Sequence, residues 1–305
     1  MNVLTKLIKA SIHKGRAFGP KIGIAFFFRA QRNFMYFHLN RRLWALSVCR
    51  EFKNAGEHEN FLHHLSTKKY LNGFFSIRQR IAHAFMHFSI DGQLFNAHYK
   101  NTIYRGEALE LWARDVGGVN FVMHLSRGST NIPEGELTVY LLANNERLHS
   151  ISFSWVQSKS PAGLMEICPY ITRNQGRWRK DTEPLNNFNE AFPQNSPSYF
   201  CYSALQGIAR AMSSSRIMAI RAQEQCCYDP KDVKSFANSY DEFWNILGGS
   251  DSHQLGFEIP VPFSIKPLSE VSSKHRKRAL TRRAYWHEIE TSARAKLNGH
   301  RIYEI

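Results

Sequence analysis

Short segments rich in aromatic and β-branched residues follow one another from residue 94 to residue 171. Such segments favour strands, because their side chains fit the half-buried surface of a pleated sheet. Asn144-Asn145 is well suited to a tight hairpin turn, since asparagine tolerates a positive φ. The sequence therefore predicts hairpin-linked strands at LFNAHYKN (94–101), NFVMHLSR (120–127), ELTVYLLA (136–143), LHSISFSWV (148–156) and GLMEICPYI (163–171).

A helix and further strands follow this series. The apolar residues of YSALQGIARAM (202–212) fall on one helical face, and RIMAIRA (216–222) is typical of a buried strand. The strand–helix–strand order over 163–222 predicts a crossover connection, and hence a mixed sheet. GFEIPVPF (256–263) is predicted to be a closing strand. Residues 172–198 are polar and rich in proline, which predicts a long loop.

Helical periodicity dominates the first 90 residues. Gly19-Pro20 should end a first helix, and residues 26–52 and 60–88 are predicted to be helical as well, the latter interrupted at Asn72-Gly73. For 26–52 two interpretations remain open: a helix packed on the body, or a segment that lies on an anionic membrane. The first helix is predicted to be basic and amphipathic, with membrane-surface candidates at Leu4, Lys6, Leu7, Ile8, Lys9 and Ile12.

The stretch SYDEFWNILGG (239–249) carries an aromatic stripe at helical spacing. Ser239 is the predicted N-cap, and Gly248-Gly249 supplies a left-handed stop. We expect the stripe to face the core, because it places three aromatic rings and a leucine on one side of a helix, at Tyr240, Phe243, Trp244 and Leu247.

These patterns together predict an α+β fold. A basic, helical N-terminal region (1–90) precedes a mixed α/β core domain (91–265), in which a mostly antiparallel sheet carries packed helices. A basic, helical C-terminal tail (266–305) follows.

Positive charge is concentrated at the two ends of the chain. Residues 1–50 hold ten Lys and Arg and no Asp or Glu, and residues 266–305 hold ten Lys and Arg against four Glu. The net charge of the whole chain is +15, so the 215 residues between these ends are close to neutral. Basic ends on a neutral body suit phosphates, on lipid head groups or on nucleic acid.

The tail KHRKRALTRRAYW contains the densest cluster of cations. Arginine can form paired hydrogen bonds with phosphate oxygens, and the adjacent Tyr285 and Trp286 can stack or lie at a membrane interface. Nucleic acid is a less favoured partner, because no recognised nucleic-acid-binding motif accompanies the patch. The other interpretation is a solvent-exposed helix face whose cations pair with acidic residues of the core domain. The candidate anion-binding residues are Lys274, Arg276, Lys277, Arg278, Arg282 and Arg283.

The sequence favours a cytoplasmic chain. Its longest apolar runs fall well short of the roughly 18 residues that a membrane helix needs. The basic N-terminus is not followed by a long apolar run with a cleavage site, so a periplasmic location is the alternative. The five cysteines form no CxxC pair and are expected to be reduced, although the adjacent Cys226-Cys227 leaves a redox or metal role open.

No catalytic machinery can be assigned from motifs. The chain lacks a P-loop, a GxGxxG segment and a GxSxG elbow, so no cofactor is predicted. His83 and His87 are four residues apart on a predicted helix, but no third ligand is evident, and no metal site is predicted. The catalytic residues stay unknown, and the sequence leans towards a protein that is not an enzyme.

Four stretches carry a resemblance to a known family. EGELTVYLLANNERLHSISFSWV, SALQGIARAMSSSRIMAIRA, SYDEFWNILGG and KHRKRALTRR resemble the VirK/YbjX family of Gram-negative bacteria, and the order and spacing match over roughly residues 90–285. The match is close to the virulence-associated VirK branch. The chain departs from the family after GLMEI, where a Gly-Leu-Gln-Gly-like turn is expected and ICPYITR stands instead.

The resemblance implies a virulence accessory factor rather than a specific reaction. Members of the family are linked to resistance to antimicrobial peptides and to the production, export or surface display of envelope and secreted virulence proteins. This implies two partners, the anionic surface of the inner membrane and a secreted or surface virulence protein. The hairpin–strand–turn–helix–strand order also looks like the core of the N-acetyltransferase superfamily, which implies an acyltransferase-like enzyme acting on an envelope substrate as the alternative function.

Overall fold

The structure is a computed structural model of the chain. It describes residues 3–49, 65, 70–128, 134–160, 163–176, 182–252 and 255–302. The predicted helices at 26–52 and 60–88 fall partly outside these residues.

Ten helices of the described ranges are named here in chain order. Five of them precede the sheet: α1 (Val3–Phe18), α2 (Pro20–Met35), α3 (Phe37–Trp44), α4 (Ile77–Leu94) and α5 (Ala97–Tyr104). The remaining helices are α6 (Glu183–Ala191), α7 (Pro197–Ala211), α8 (Val233–Ser239), α9 (Asp241–Ile246) and α10 (Ser273–Asn298). The predicted break at Gly19-Pro20 is confirmed, because α1 ends at Phe18 and Gly19 has a φ of 100°.

One sheet of eight strands forms the centre of the fold, in the order β1-β2-β3-β4-β5-β6-β8-β7. Its pairs are antiparallel except β5 with β6, where Tyr170 lies opposite Met218 and Ile171 opposite Ala219 in parallel register. The predicted mixed, mostly antiparallel sheet is therefore confirmed. Its strands are β1 (Ala108–Val116), β2 (Val119–Arg127), β3 (Leu137–Ala143), β4 (Glu146–Lys159), β5 (Met165–Gly176), β6 (Arg216–Ala219), β7 (Ser250–Ser252) and β8 (Gly256–Pro260).

The β3–β4 hairpin turns at the predicted asparagine pair. Asn144 and Asn145 have φ values of 47° and 66°, in the left-handed region that a tight two-residue turn needs. The turn residue also ties the hairpin to β2, because the backbone N–H of Asn120 donates to Asn144 Oδ1 at 2.9 Å. Local sequence and local geometry agree here.

Two long helices meet over the sheet at a glycine. Helix α7 packs against β3, β4 and β5, and α10 packs along α7 and on β1. A Cβ atom at Gly207 would clash with the carbonyl oxygen of Glu290, so only glycine allows the two helices to approach this closely. Glu288 joins α10 to β1, since Trp112 Nε1 donates to Glu288 Oε1 at 2.8 Å and Arg114 pairs with the same carboxylate.

The aromatic stripe of residues 239–249 faces the core as predicted. Tyr240, Trp244 and Leu247 are almost fully buried, and Trp244 Nε1 donates to the carbonyl of Ile220 at 3.0 Å. The predicted N-cap is wrong, because Ser239 ends α8 and the next helix begins at Asp241 after Tyr240. Tyr240 leaves helical geometry, with φ −121° and ψ −86°, and so separates the two short helices.

Two secondary-structure predictions are wrong because helices begin inside the predicted segments. The predicted strand 94–101 is the end of α4 and the start of α5, where Asn96 Oδ1 caps the new helix by accepting from Tyr99 N at 2.9 Å. The predicted loop 172–198 holds the end of β5, all of α6 and the start of α7, with prolines in the first turns of both helices. A proline in a first helical turn starts a helix rather than breaking one.

The segment ICPYITR, where the family resemblance suggested a turn, is continuous strand. Strand β5 runs from Met165 to Gly176 and pairs with β4 on one side and with β6 on the other. The chain therefore departs at this position from the turn that the resemblance implies for the family, as its sequence indicated.

Candidate functional site

The first two helices form an N-terminal hairpin, the name used here for α1 and α2. They pack closely, since a Cβ atom at Gly23 would lie 2.7 Å from the Ser11 carbonyl oxygen and 2.8 Å from the Cα of Gly15. The packing leaves many large apolar side chains exposed to solvent instead of covering them. These are Ile8, Ile12, Phe18, Ile22, Ile24 and Phe28, between 42% and 64% exposed.

Cations accompany these apolar side chains. Lys9 and Lys21 are exposed, and Lys14 Nζ lies 5.8 Å from the ring centroid of Phe18. Residues 1–50 contain no carboxylate side chain to offset this charge. Among the predicted membrane-surface residues, the structure confirms the exposure of Ile8, Lys9 and Ile12, whereas the side chains of Leu4, Lys6 and Leu7 fall outside its described part.

The six candidate anion-binding residues divide into two groups on α10. Arg276 donates to the carbonyls of Val271 and Ser269, Arg283 donates to the carbonyl of Lys266, and Arg282 lies 5.1 Å from the ring centroid of Trp286. Within the described ranges, none of the six pairs with a carboxylate. The cations that project without such contacts are Lys274, Lys277 and Arg278.

Trp286 does not lie on a free surface, contrary to the prediction that it could stack on a ligand or on a membrane. Its side chain is 7% exposed, its ring stacks on Tyr199 with centroids 4.9 Å apart, and its Nε1 donates to Asn195 Oδ1 at 3.1 Å. Tyr285 is half-buried, with its ring 5.1 Å from that of Phe192. These rings anchor α10 to α7, while Lys274, Lys277 and Arg278 face solvent.

A cleft of about 270 Å³ opens beside the carboxyl end of β5. Strands β5 and β6 pair in parallel at only two positions, and β5 continues past the last of them to Gly176. Ligands of open α/β sheets bind outside the carboxyl ends of parallel strands, so this is the place where such a site is expected. One wall is aromatic, because Phe236 and Tyr240 stack with ring centroids 5.9 Å apart.

Polar groups surround the floor of this cleft. Asn174 Nδ2 donates to the carbonyl of Ser239 at 2.6 Å, and Asn174 Oδ1 lies 2.7 Å from His149 Nε2. Burial lowers the pKa of His149 to about 4, so the ring is neutral at pH 7 and Nε2 carries the proton that it donates to Asn174. Burial also raises the pKa of the Tyr240 hydroxyl. The side chains of His149 and Tyr240 therefore suit hydrogen bonding better than proton transfer.

An ion pair lies next to the same strand end. Arg173 Nε is 3.1 Å from Glu134 Oε2, and Gln225 donates to the other oxygen of Glu134. Glu134 is almost fully buried, and a buried carboxylate needs such partners because burial of an unpaired charge is costly. Glu134 therefore links β5, through Arg173, to the segment that follows β6, through Gln225.

His83 and His87 each make a structural contact with a different part of the chain. The His83 ring stacks on Phe75 with centroids 4.7 Å apart, whereas His87 Nδ1 accepts the backbone N–H of Trp155 at 3.1 Å. Asp91 accepts from Trp155 Nε1 at 2.7 Å, and burial raises its pKa. Strand β3 pairs with β4 only as far as Phe153, so this network covers the part of the β4 edge that β3 leaves open. Within the described ranges, no three potential ligands come together around a metal position.

Within the described ranges, no disulfide joins any of the five cysteines. Burial raises the pKa of the thiols of Cys49, Cys168 and Cys201, which makes each of them a weak nucleophile at neutral pH. Cys227 is exposed and Cys226 partly so. No signal in the sequence pointed to the cleft at β5, although the strand–helix–strand order could have located it through the rule for parallel strands.

Among the described residues, none of the helices is both long enough and apolar enough to cross a bilayer.

The comparisons with known proteins define a family. No curated protein and no solved structure matches the chain. A family model described as a protein of unknown function, DUF535, matches residues 23–295, and this family contains the VirK/YbjX proteins that the sequence motifs resemble. Since the match covers most of the chain, the protein belongs to the DUF535 family.

Proposed function

We propose that this protein is a virulence accessory factor of a Gram-negative bacterium, of the VirK branch, that works on the cytoplasmic surface of the inner membrane. There it assists the production, export or surface display of an envelope or secreted virulence protein. The family match and the four motifs support the general role. The N-terminal hairpin supports the location.

The observation that carries the membrane proposal is the combination of exposed isoleucine and phenylalanine side chains with lysines on one acid-free helical hairpin. A cation near an anionic membrane contributes about 1 kcal/mol, and the apolar side chains add free energy when they enter the interface. A solvent-exposed apolar surface of this kind is otherwise unfavourable. The exposed cations Lys274, Lys277 and Arg278 of α10 provide a second basic surface.

Vesicle sedimentation tests this proposal on the full-length chain. Binding should rise with the fraction of phosphatidylglycerol in phosphatidylcholine vesicles and fall as salt screens the charges. The double variant Ile8→Asp with Ile12→Asp should weaken binding at least tenfold, since each isoleucine contributes about 1.5–3 kcal/mol when fully buried.

Leu164→Asp is the control, because Leu164 is 69% exposed but lies between β4 and β5 and so is not part of the hairpin. This variant should bind vesicles as the parent chain does. Binding that ignores lipid charge, or that the hairpin variant leaves undiminished, would contradict the proposal. Preference for RNA over anionic vesicles would favour the nucleic-acid alternative instead.

The cleft at β5 favours a second candidate, an acyltransferase-like enzyme acting on an envelope substrate. The parallel strand–helix–strand unit and the cleft at its carboxyl end are the features that this alternative requires. Calorimetric titration with acyl-coenzyme A separates the candidates: heat of binding that Tyr240→Ala abolishes and Phe74→Ala does not would favour the enzyme. Absence of heat at millimolar ligand would exclude it.

A further inference from the structure

A second cavity, separate from the cleft at β5, lies between α3, α4 and the end of β4. This α4 groove, as it is called here, encloses about 360 Å³, near the lower end of the roughly 300–1,000 Å³ typical of ligand cavities. Its floor is apolar and comes from one face of α4, because its members follow helical spacing. The floor residues are Ile81, Ala82, Phe85, Met86 and Ile90.

The groove is basic as well as apolar. Arg42 reaches over from α3, with its guanidinium carbon 5.2 Å from the ring centroid of Phe85, and Arg78 lines the groove from the first turn of α4. Both arginines are exposed, and neither forms an ion pair with a carboxylate in the part of the chain that the structure describes. The groove lining contains no Asp or Glu. A ligand with an apolar body and a negative charge complements such a surface.

An unsatisfied hydroxyl marks where the polar end of a ligand would lie. Ser89 Oγ is buried in the groove lining and has no hydrogen-bond partner among the described residues. A buried hydroxyl without a partner is unfavourable, so a ligand oxygen that accepts a hydrogen bond from it would stabilise the site. Ser89 follows Phe85 by one helical turn, which places it on the same side of α4 as the ring over which Arg42 lies.

The length of the groove suits a single acyl chain. Ser89 lies eleven positions after Arg78 on α4, a rise of about 16 Å at 1.5 Å per residue. One leaflet of a bilayer holds its acyl chains within about 15 Å, half the thickness of the hydrocarbon core. The volume leaves room for one chain with a small head group rather than for a phospholipid with two chains.

We propose that the α4 groove binds one long-chain fatty carboxylate. The carboxylate lies between Arg42 and Ser89, and the chain runs over Met86, Ala82 and Ile81 towards the first turn of α4. This proposal goes beyond the membrane-surface function and does not depend on it, because none of the residues of the groove belongs to the N-terminal hairpin.

Calorimetric titration of the full-length chain with palmitate, below the concentration at which palmitate aggregates, tests the proposal. We expect one site per chain and much weaker binding of hexadecanol, which has the same chain without the charge. Arg42→Gln should weaken palmitate binding about tenfold or more, because it removes a charge-assisted hydrogen bond. Arg105→Gln is the matched control, since Arg105 is an exposed arginine at the end of α5.

Ala82→Trp tests the path of the chain, because Ala82 is an exposed residue of the lining and a large ring there should fill the groove. It should abolish palmitate binding while the melting temperature stays close to that of the parent chain. If Ala82→Trp unfolds the protein, Arg42→Gln still tests the proposal, because Arg42 is exposed and its replacement should leave the fold intact. Absence of palmitate binding, equal binding of hexadecanol, preference for lysophosphatidylglycerol, or insensitivity to Arg42→Gln would each overturn the proposal.

Discussion

Replacement of Trp244 by alanine is expected to lower the free energy of unfolding by about 3–5 kcal/mol. The side chain is fully buried, and Tyr240 and Phe243 pack around it with ring centroids 6.2 and 5.4 Å away. Alanine would leave a large cavity that the neighbouring β8 cannot fill without moving. Urea denaturation followed by circular dichroism measures the change.

Two further variants separate the components of this effect. Trp244→Phe keeps most of the apolar volume but removes the hydrogen bond to the Ile220 carbonyl, and should cost about 1–3 kcal/mol. Phe74→Ala removes an aromatic ring that is 75% exposed, and should change stability by less than about 0.5 kcal/mol. An unchanged unfolding midpoint for Trp244→Ala together with lost function would show that the aromatic stripe is a binding surface.

Stability is also expected to fall as the pH drops from about 6.5 to about 4. Burial lowers the pKa values of His83 and His149 from the usual 6.5 to about 4, so both are neutral in the folded chain over this range. The unfolded chain binds protons at these positions from pH 6.5 downward, which favours unfolding. The full effect is on the order of 3 kcal/mol per histidine, and it is absent above the unfolded pKa.

Denaturation midpoints measured at steps of pH between 7 and 4 check this prediction. His149→Gln can still donate to Asn174, and His83→Phe can still stack on Phe75, yet neither titrates. Each substitution should therefore reduce the slope of the free energy of unfolding against pH by about 1.4 kcal/mol per pH unit in the steep region. Asp91, whose pKa burial raises, acts in the opposite direction, so it reduces the net slope. His287→Gln, at an exposed histidine, is the control. A slope that the two variants leave unchanged would contradict the prediction.

The hairpin strands and the core stripe could be predicted because their signals are local. Asn144-Asn145 encodes a left-handed turn, and the aromatic residues of 239–249 encode one buried face, whatever the rest of the chain does. Helix starts were harder to recognise. Asn96 and Pro197 both begin helices, yet each also occurs in loops, and only the packing of α5 and α7 against the sheet selects the helical state.

The candidate sites depend on contacts between distant parts of the chain. The charge of residues 1–50 and the amphipathic spacing of Ile8 and Ile12 were readable from sequence, and so was their suitability for an anionic membrane. The cleft at β5 requires that β6 pair in parallel with β5, and the α4 groove requires that Arg42 of α3 lie over Phe85. No periodicity in the sequence specifies either approach.

The sequence by itself determined the α+β class, the family, the two basic ends and the identity of the buried aromatic face, because each follows from composition or short-range spacing. Only the tertiary structure decided which polar and aromatic side chains are bonded or packed within the protein. His87 accepts a backbone N–H from the edge of β4 that β3 leaves unpaired, and Trp286 packs against Tyr199. Arg283 donates to the backbone carbonyl of Lys266. The physical reason is that buried polar groups must find partners, and those partners come from segments far away in the chain.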